Sequence, residues 1–504
     1  MFHAVLAEAT AAFPAVFEAA QFPRDAKRFK ARYGSALARF EAARVNAEQR
    51  VEIARFVARR TQESLFYRSG TSHVPLGDHL RSRGRQIALT RTRLMGSPGL
   101  CAEVPFEGKV LRGQEVQALV DRLHDAQQLT DAAHTALSSM LERCRDAGGK
   151  LDLRGQRFAL LGAGAELSPA RLLLRAGASV LWIDLADPAR ALAGEDGLAG
   201  SIFRASEAQN LLEQPREVAS AIEQFAADGP VHIGMFAYAG GASQEWRLGA
   251  AMNAIVASLD PALIRSVALL VSPTTPSVLT PETRAAESAR LARAPAWQRT
   301  LAALGVIQGP GHHAAHDRAV ALATVALQGL SYQAAQYISK IAAAESYAVY
   351  GTQLDTDEQR PIPVSANVAG ITRTRSLSHP LFEAAFAGAH HFGVRIFDAA
   401  TTRALSGLLM LHDILPLAPL PMVSPRARAE ALHARQIHGG IYGLPFVLEG
   451  VIRSAALLGM ASRPSVLWSA RKPRADLLPL TLPAEEPVAA PARAARAEPQ
   501  MEAP

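Results

Sequence analysis

The spacing of apolar residues first indicates a helical region. Between Gln114 and Cys144, apolar positions recur three and four residues apart. This spacing predicts helix with one buried face, and the pattern is compatible with one break in the helix. The following Asp146-Ala-Gly-Gly149 supplies glycines that stop a helix. We therefore predict a mostly helical N-terminal domain over residues 1–150.

From Arg157 onward, short apolar runs alternate with helical segments. Four runs are typical of buried strands, at Phe158–Gly162, Ser179–Asp184, His232–Ala237 and Ser266–Val271. Alternating strands and helices are typical of βαβ units. The sequence therefore predicts an α/β fold whose residues 151–375 form a doubly wound, Rossmann-like parallel sheet.

The rest of the chain is predicted to add helices to this sheet. Apolar residues between Ile441 and Met460 lie on one side of an amphipathic helix. Packing in the core or in an oligomer is the favoured interpretation, and closing a pocket or touching a membrane surface are alternatives. We assign residues 376–480 to a helical lid or oligomerisation region. The Pro-, Ala- and Glu-rich residues 483–504 are predicted to be disordered.

Composition is typical of a soluble globular protein. The chain has 504 residues, of which 49% are hydrophobic and 20% charged, and this excludes a mainly disordered protein. A net charge of +7 over this length is weak evidence for nucleic acid as a partner. Only six of the 53 cations are lysines, so a lysine in a motif, such as Lys340, is of particular interest.

Cysteine content and the lengths of the apolar runs predict a cytoplasmic protein. Cys101 and Cys144 are too few for a disulfide framework. Glu8 and Glu18 interrupt the apolar start, which argues against a signal peptide. No uncharged apolar run reaches 18 residues, so we expect no transmembrane segment.

A glycine-rich turn follows the first predicted strand. It reads Leu161-Gly-Ala-Gly-Ala-Glu-Leu-Ser168 and precedes a predicted helix, Pro169–Ala176. Gly162 and Gly164 allow backbone N–H groups to approach a pyrophosphate at the helix end. Asp184 ends the next strand, 22 residues after Gly162, where an acid can accept both adenosine ribose hydroxyls. The alternative is an ordinary tight turn that binds nothing.

Further motifs follow the turn in a recognisable order. They are Ala239-Gly240 after the His232–Ala237 run, Ser272 after the Ser266–Val271 run, Gln336-Tyr-Ile-Ser-Lys340 in a helix, and Val364–Thr374. This succession, over about residues 157–374, resembles the short-chain dehydrogenase/reductase superfamily. That family has a glycine-rich turn, an Asn-Asn-Ala-Gly strand end, a strand-five Ser, a Tyr-x-x-x-Lys helix and an Asn-x-x-x-Pro-Gly-x-x-x-Thr strand, in this order.

The resemblance implies NAD or NADP as cofactor and assigns roles to particular residues. The implied cofactor-binding residues are Gly162, Gly164, Asp184, Ala239, Gly240 and Lys340, and the implied catalytic residues are Ser272, Tyr337 and Lys340. A phenol would protonate the developing alkoxide, an ammonium would stabilise the phenolate, and the serine would donate to the substrate oxygen. NAD is favoured over NADP because a carboxylate repels a 2′-phosphate.

This chain also departs from the family pattern. Glu166 and Ser168 stand where the family has its two later glycines, and a glutamate there would repel a diphosphate. Gln336 stands four residues before Lys340, where the family has tyrosine. We assign the phenol to Tyr337, because positions three apart share a helix face nearly as well as positions four apart. The long interval between Ser272 and Tyr337 predicts a helical insertion at about 277–330.

Each motif also has a purely structural interpretation. Tyr337 could be a half-buried core tyrosine and Lys340 a surface charge. His312, His313 and His316 have helical spacing for a metal, but no acid at ligand spacing supports them, so a loop or capping role is favoured and no metal site is predicted.

The function favoured by the sequence is an NAD(P)-dependent oxidoreductase acting on a carbonyl or alcohol of a fairly apolar small molecule. The alternative is a catalytically degenerate Rossmann-like scaffold that serves as a binding or assembly subunit, with a peripheral membrane protein as a weaker possibility. Expected partners are the small-molecule substrate and further copies of the chain, and no nucleic acid.

Overall fold

The computed structural model describes most of the chain in side-chain detail. The described residues are 1–82, 84–146, 150–241, 243–309, 319–354, 356, 359–377, 379–415, 423–462 and 480–488.

Helices are the most abundant secondary structure in the described residues. The α-helices are α1 (Phe2–Ala12), α2 (Pro14–Phe17), α3 (Ala26–Asn46), α4 (Arg50–Glu63), α5 (Leu76–Arg81), α6 (Gln114–Asp125), α7 (Asp131–Asp146), α8 (Ala170–Arg175), α9 (Pro188–Ala191), α10 (Pro215–Phe225), α11 (Gln244–Ser258), α12 (Pro281–Ala292), α13 (Ala296–Ala303), α14 (Leu330–Gln336), α15 (Ala343–Tyr350), α16 (Pro380–Gly388), α17 (Ala399–Ile414), α18 (Pro425–Leu432) and α19 (Leu448–Ser462). A π-helical turn, Tyr337–Ala342, joins α14 to α15 without a break.

The strands are mostly short. They are β1 (Phe66–Ser69), β2 (Ser72–Pro75), β3 (Thr90–Arg93), β4 (Glu103–Phe106), β5 (Lys109–Arg112), β6 (Arg157–Leu161), β7 (Ser179–Ile183), β8 (Ser201–Arg204), β9 (Val231–Met235), β10 (Ile264–Val271), β11 (Val364–Val368), β12 (Thr372–Arg373), β13 (Phe397–Asp398) and β14 (Glu486–Pro487).

Eight of these strands form one large sheet. Its order is β11-β10-β9-β6-β7-β8-β3-β14, and the six strands from β11 to β8 are parallel. The structure thus confirms a mixed α/β fold, and β6, β7, β9 and β10 fall on the four predicted strands. The sequence did not predict β8, or the antiparallel pairings of β3 with β8 and of β14 with β3. Glu486 and Pro487, which form β14 and pair with β3, lie within the tail that the sequence predicts to be disordered.

Each face of the sheet is covered by helices. In β6, Ala159 and Leu161 point into one hydrophobic core, whereas Phe158 and Leu160 point into the other, as the period of two along a strand requires. The first core contains residues of α1, α3, α4, α10, α11 and α15. The second contains residues of α6, α7, α8 and α17. Helices from the first 150 residues therefore share their cores with the sheet, while the predicted domain boundaries remain predictions.

The Gln114–Cys144 segment contains the single break that its pattern allows. α6 ends at Asp125 and α7 begins at Asp131. Between them Gln127 adopts a φ of 53°, a left-handed conformation that a continuing helix cannot contain. Leu119 and Leu137 lie on the buried faces of the two helices, so both helices use their apolar side to cover the sheet.

Two C-terminal helices cross at unusually short range. A Cβ atom on Gly388 of α16 would lie 1.9 Å from the Ala455 carbonyl oxygen, and one on Gly459 of α19 would lie 2.0 Å from that of Ala384. The helix predicted over residues 441–460 begins only at Leu448, after a 3-10 turn at Ile441–Gly443. In the described ranges, no helix has both the length and the apolar character needed to cross a bilayer.

Candidate functional site

A cavity of about 740 Å³ opens at the carboxyl edge of the parallel sheet. Residues that follow β6, β7, β9, β10 and β11 line it, among them Gly162, Asp184, Ala239, Ser272 and Ala369. In open α/β sheets, ligands bind outside the carboxyl ends of the strands. The volume also lies within the range of small-molecule sites.

The cavity brings together all the predicted site residues except one. Its lining includes Gly162, Gly164, Asp184, Ala239, Gly240, Ser272 and Lys340. Tyr337 is absent from this lining. The residues from separate motifs therefore converge at one place, and the predicted phenol has to be reconsidered.

Close packing explains both glycines of the turn. Gly162 has a φ of 90°, and a Cβ atom there would lie 2.2 Å from the backbone nitrogen of Ala237, beyond β9. A Cβ atom on Gly164 would lie 2.8 Å from Cβ of Ala186 and 3.3 Å from the Asp184 carboxyl. Only glycine allows the turn to pass this close to β7 and β9. The turn thus has a structural reason for its glycines whether or not it also binds a ligand.

Asp184 binds the turn that precedes it. Its Oδ2 accepts the Gly164 N–H at 2.9 Å, and its Oδ1 accepts the Ala186 N–H at 2.7 Å. A carboxylate oxygen can accept more than one hydrogen bond, so each retains capacity for a hydroxyl donor. Asp184 therefore holds the turn in place and still lines the cavity.

The charge of Glu166 is compensated within the site. Its Oε2 accepts the Arg375 backbone N–H at 3.0 Å and lies 3.7 Å from Nε of the same residue. Arg403 donates to the Glu166 carbonyl oxygen at 3.0 Å. Because two guanidinium groups surround this glutamate, its repulsion of an anionic ligand is weaker than the sequence suggested.

Tyr337 points away from the cavity. Its ring is fully buried, and its hydroxyl donates to Oε2 of Glu41 on α3 over 2.5 Å. Burial and the Glu41 charge raise the pKa of Tyr337 well above its ordinary value. One residue along an α-helix rotates a side chain by about 100°, so Tyr337 leaves the face that Gln336 occupies. This position does not support the predicted catalytic role of Tyr337.

A different tyrosine faces the cavity. Tyr332, Gln336 and Lys340 follow one another at intervals of four, and all three line the cavity. In a regular α-helix, side chains four residues apart rotate gradually away from one face. The π-helical turn has more residues per turn, so it keeps Tyr332, Gln336 and Lys340 closer to the same face. π-helical turns are frequent at functional sites. In the sequence, Tyr332 precedes Lys340 by eight residues, twice the interval of four expected from the resemblance. This spacing was the only sequence signal that could have indicated Tyr332.

Tyr332 belongs to a chain of hydroxyl groups. Burial raises its pKa to about 12, and hydrogen bonding with the Ser272 and Thr274 hydroxyls opposes that rise. The hydroxyls of Ser272 and Thr274 are 2.9 Å apart, and Thr274 donates its proton to Oε1 of Gln328 at 2.6 Å. Because Thr274 has one proton, Ser272 must donate to Thr274 in this arrangement.

Gln336 occupies the position where the resemblance expects tyrosine. Its Oε1 accepts the backbone N–H of Ser272 at 3.0 Å. This bond ties the end of β10 to the helix that carries Tyr332 and Lys340. Gln336 therefore holds the two sides of the cavity in register.

Lys340 is isolated from other charges. Its side chain makes no hydrogen bond or ion pair with any residue that the structure describes, and burial alone lowers its pKa, to about 8. Eight residues of helix correspond to a rise of about 12 Å, which separates the backbone of Lys340 from that of Tyr332. In the described residues, no hydrogen bond joins the Lys340 ammonium to the hydroxyl of Tyr337 or of Tyr332, so the phenol–ammonium pair implied by the resemblance is not formed.

The Val364–Thr374 motif also contains a polar cluster, which lies between β11 and α17. Asn367 and Ser365 donate to Oδ2 of the buried Asp413, at 2.7 and 2.9 Å. Arg435 lies 2.7 Å from Oδ1 of the same carboxylate, and His412 lies 3.2 Å from it. This cluster joins β11 to α17 and does not line the cavity.

The histidines singled out in the sequence, His312, His313 and His316, lie outside the described residues. Within the described ranges, no three His, Cys, Asp or Glu side chains are grouped closely enough to hold a metal ion.

Comparisons with known proteins add no assignment. No protein-family model matches this chain, and neither a curated protein nor a solved structure matches it.

Proposed function

We propose that this chain is an NAD(P)-dependent oxidoreductase related to the short-chain dehydrogenases, acting on a carbonyl or alcohol of a fairly apolar small molecule. The observation that carries the proposal is the convergence of seven predicted residues, from separate motifs, on one cavity. In chain order, the parallel strands β6 to β11 are arranged 3-2-1-4-5-6, the order of dinucleotide-binding folds. The cavity opens where this order reverses, between β6 and β9.

The turn and its neighbours fit a dinucleotide. Gly162 and Gly164 leave space that a side chain would fill, so the backbone can approach a diphosphate. Asp184 retains acceptor capacity for ribose hydroxyls, and its charge favours NAD over NADP. Ala239 and Gly240 would border the ribose, and Lys340 would donate to its hydroxyls. When bound, the nicotinamide supplies or accepts the hydride.

Tyr332 is the proposed proton donor in place of Tyr337. A carbonyl that accepts hydride develops alkoxide charge and needs a proton donor beside it. With a pKa of about 12, Tyr332 holds its proton at neutral pH. Ser272 can stabilise the phenolate that remains by rotating its hydroxyl proton from Thr274 to the phenolate oxygen. Because this phenol is a poor base at neutral pH, the site favours carbonyl reduction over alcohol oxidation.

The cavity also contains an apolar section for the substrate. Leu270, Leu327, Leu377 and Phe382 contribute to its lining. Apolar walls with a few convergent polar groups are typical of small-molecule sites. An aliphatic or aromatic carbonyl compound fits this lining better than a highly charged one.

A second candidate is a scaffold that binds no dinucleotide. It is favoured by two backbone donors that already have partners in the chain: Gly164 donates to Asp184, and Arg375 donates to Glu166. A diphosphate would have to compete with these carboxylates.

Titration with NADH and NADPH separates the two candidates. Binding should enhance nicotinamide fluorescence and raise the melting temperature by mass action, with a larger response to NADH. Asp184→Ala is the matched variant, and it should weaken NADH binding more than NADPH binding. If neither dinucleotide changes the fluorescence or the melting temperature of the natural chain, the scaffold hypothesis is favoured.

A further inference from the structure

Lys340 has three properties that binding a ribose does not require. It lines the cavity, it is the only lysine among the lining residues, and it has no hydrogen-bond or ion-pair partner in the described part of the chain. An amine in a cavity without a counter-ion is available for reaction. Lysines desolvated in this way serve as nucleophiles and imine formers.

The charged groups around Lys340 are engaged elsewhere. In the cavity, Glu166 pairs with Arg375, Asp184 accepts two backbone N–H groups, and Glu245 accepts from Gly241 and Ser331. α4, α11, α15 and β10 also pack near the π-helical turn. Their charged residues and the tyrosines of the cavity are Arg50, Glu52, Arg55, Arg59, Arg60, Glu63, Glu245, Arg247, Glu345, Arg265, Tyr238 and Tyr332. Burial is the only resolved cause acting on the Lys340 pKa, so none of these groups fixes its charge.

We propose that Lys340 is a nucleophilic amine whose Nζ forms an imine with small aldehydes that enter the cavity. The nitrogen lone pair attacks the carbonyl carbon, and the carbonyl π electrons move to oxygen. A proton passes from nitrogen to that oxygen, and the carbinolamine then loses water to form the C=N bond. The products are one imine and one water molecule, and no oxidant or reductant is needed.

The lowered pKa makes this reaction selective at neutral pH. A larger fraction of Lys340 than of an ordinary lysine is unprotonated at pH 7, since its pKa is about 8 instead of 10.5. Lys27, Lys30, Lys109 and Lys150 are exposed and serve as internal references. The proposal goes beyond dinucleotide binding, because it requires only the cavity and the free amine.

The test uses the full chain with butyraldehyde and sodium cyanoborohydride at pH 7. Cyanoborohydride reduces the imine to a stable secondary amine, and peptide mass spectrometry measures the labelling rate of each lysine. We expect Lys340 to be labelled at least ~10-fold faster than the exposed lysines. Raising the pH from 7 to 10 should increase the rate at the exposed lysines much more than at Lys340.

Two controls make the result decisive. Lys340→Arg keeps a cation and should remove the fast labelling phase, and the comparison among lysines of the natural chain does not depend on whether that variant folds. Labelling of Lys340 no faster than that of Lys27 or Lys30 overturns the proposal. A parallel reaction with saturating NADH separates it from the proposed function: fast labelling that NADH slows supports both, and fast labelling that NADH does not affect supports the reactive amine and counts against the dinucleotide site.

Discussion

The Tyr337 hydroxyl donates a 2.5 Å hydrogen bond to Oε2 of Glu41, a residue 296 positions earlier in the chain. Arg44 donates to the same carboxylate and also binds Glu345. This buried network of phenol, carboxylates and guanidinium groups joins α3 to the long helix that lines the cavity on its other side. A residue that the sequence suggested for catalysis thus helps to attach the N-terminal helices to the sheet.

The two tyrosines should respond differently to loss of their hydroxyl. Tyr332→Phe should lower turnover by roughly 100-fold or more, because general acid catalysis contributes about that much, while the melting temperature changes little. Tyr337→Phe should cost about 1.5–3 kcal/mol of stability through a lost hydrogen bond to a buried carboxylate and leave turnover nearly unchanged. The measurements are NADH oxidation with the best carbonyl substrate from a panel, and thermal unfolding. A large loss of turnover in Tyr337→Phe alone would contradict the assignment.

Glu345 should be one of the most sensitive positions for stability. Its carboxylate is fully buried, 2.6 Å from Arg44 and 2.7 Å from Arg50. Glu345→Gln should destabilise the protein by about 3–5 kcal/mol, since it leaves buried cations uncompensated. Glu430→Gln, which breaks the exposed pair with Arg426, is the matched control and should cost less than about 1 kcal/mol. Equal denaturation midpoints in guanidinium chloride for the two variants would contradict this prediction.

Buried histidines should make the fold sensitive to acid. Burial lowers the pKa of His232 and of His438 to about 3, from the ordinary 6.5. Between pH 6.5 and 3 the unfolded chain therefore binds protons that the folded chain does not. The stability from these residues is complete above pH 6.5 and is lost as the pH falls towards 3.

Glu345 causes a further loss of stability below its ordinary pKa of 4.5. Burial opposes its ionisation, but Arg44 and Arg50 hold its pKa well below that value.

Melting temperatures between pH 4 and 7.5 measure this effect. His232 contacts Ser266 at 2.7 Å and stacks on Phe158, so His232→Asn should lower stability at neutral pH but flatten its decline in acid. His390→Asn, at an exposed position, is the control and should leave the slope unchanged. If the melting temperature of His232→Asn falls with decreasing pH as steeply as that of the natural chain, the proposed link between His232 protonation and stability is refuted.

The crossing of α16 and α19 should tolerate no side chain at its glycines. Gly459→Ala places a Cβ 2.0 Å from a backbone oxygen of α16, so the helices must separate, at a cost of about 1–3 kcal/mol or more. Gly34→Ala is the matched control: it lies within α3 and meets nothing closer than 3.4 Å. It should stabilise the fold by up to about 1 kcal/mol through helix propensity. A neutral Gly459→Ala would contradict the close crossing.

The candidate site was only partly predictable, and the tyrosines show why. The motif order located Gly162, Asp184, Ser272 and Lys340 because each follows a strand or occupies a helix whose pattern is local. The choice between tyrosines 332 and 337 depends on the phase of a helix that contains a π-helical turn. The sequence pattern did not predict that turn, so the phenol was assigned to a tyrosine that does not line the cavity.

Local periodicity was sufficient for the elements themselves, because the period of a strand or a helix shows in a few consecutive residues. It predicted β6, β7, β9 and β10, and it allowed for the break between α6 and α7. The pairing of β3 with β8, the bond between Tyr337 and Glu41 and the isolation of Lys340 depend on residues far apart in the chain. Such contacts form only when the whole chain packs, because many alternative partners satisfy the same local pattern.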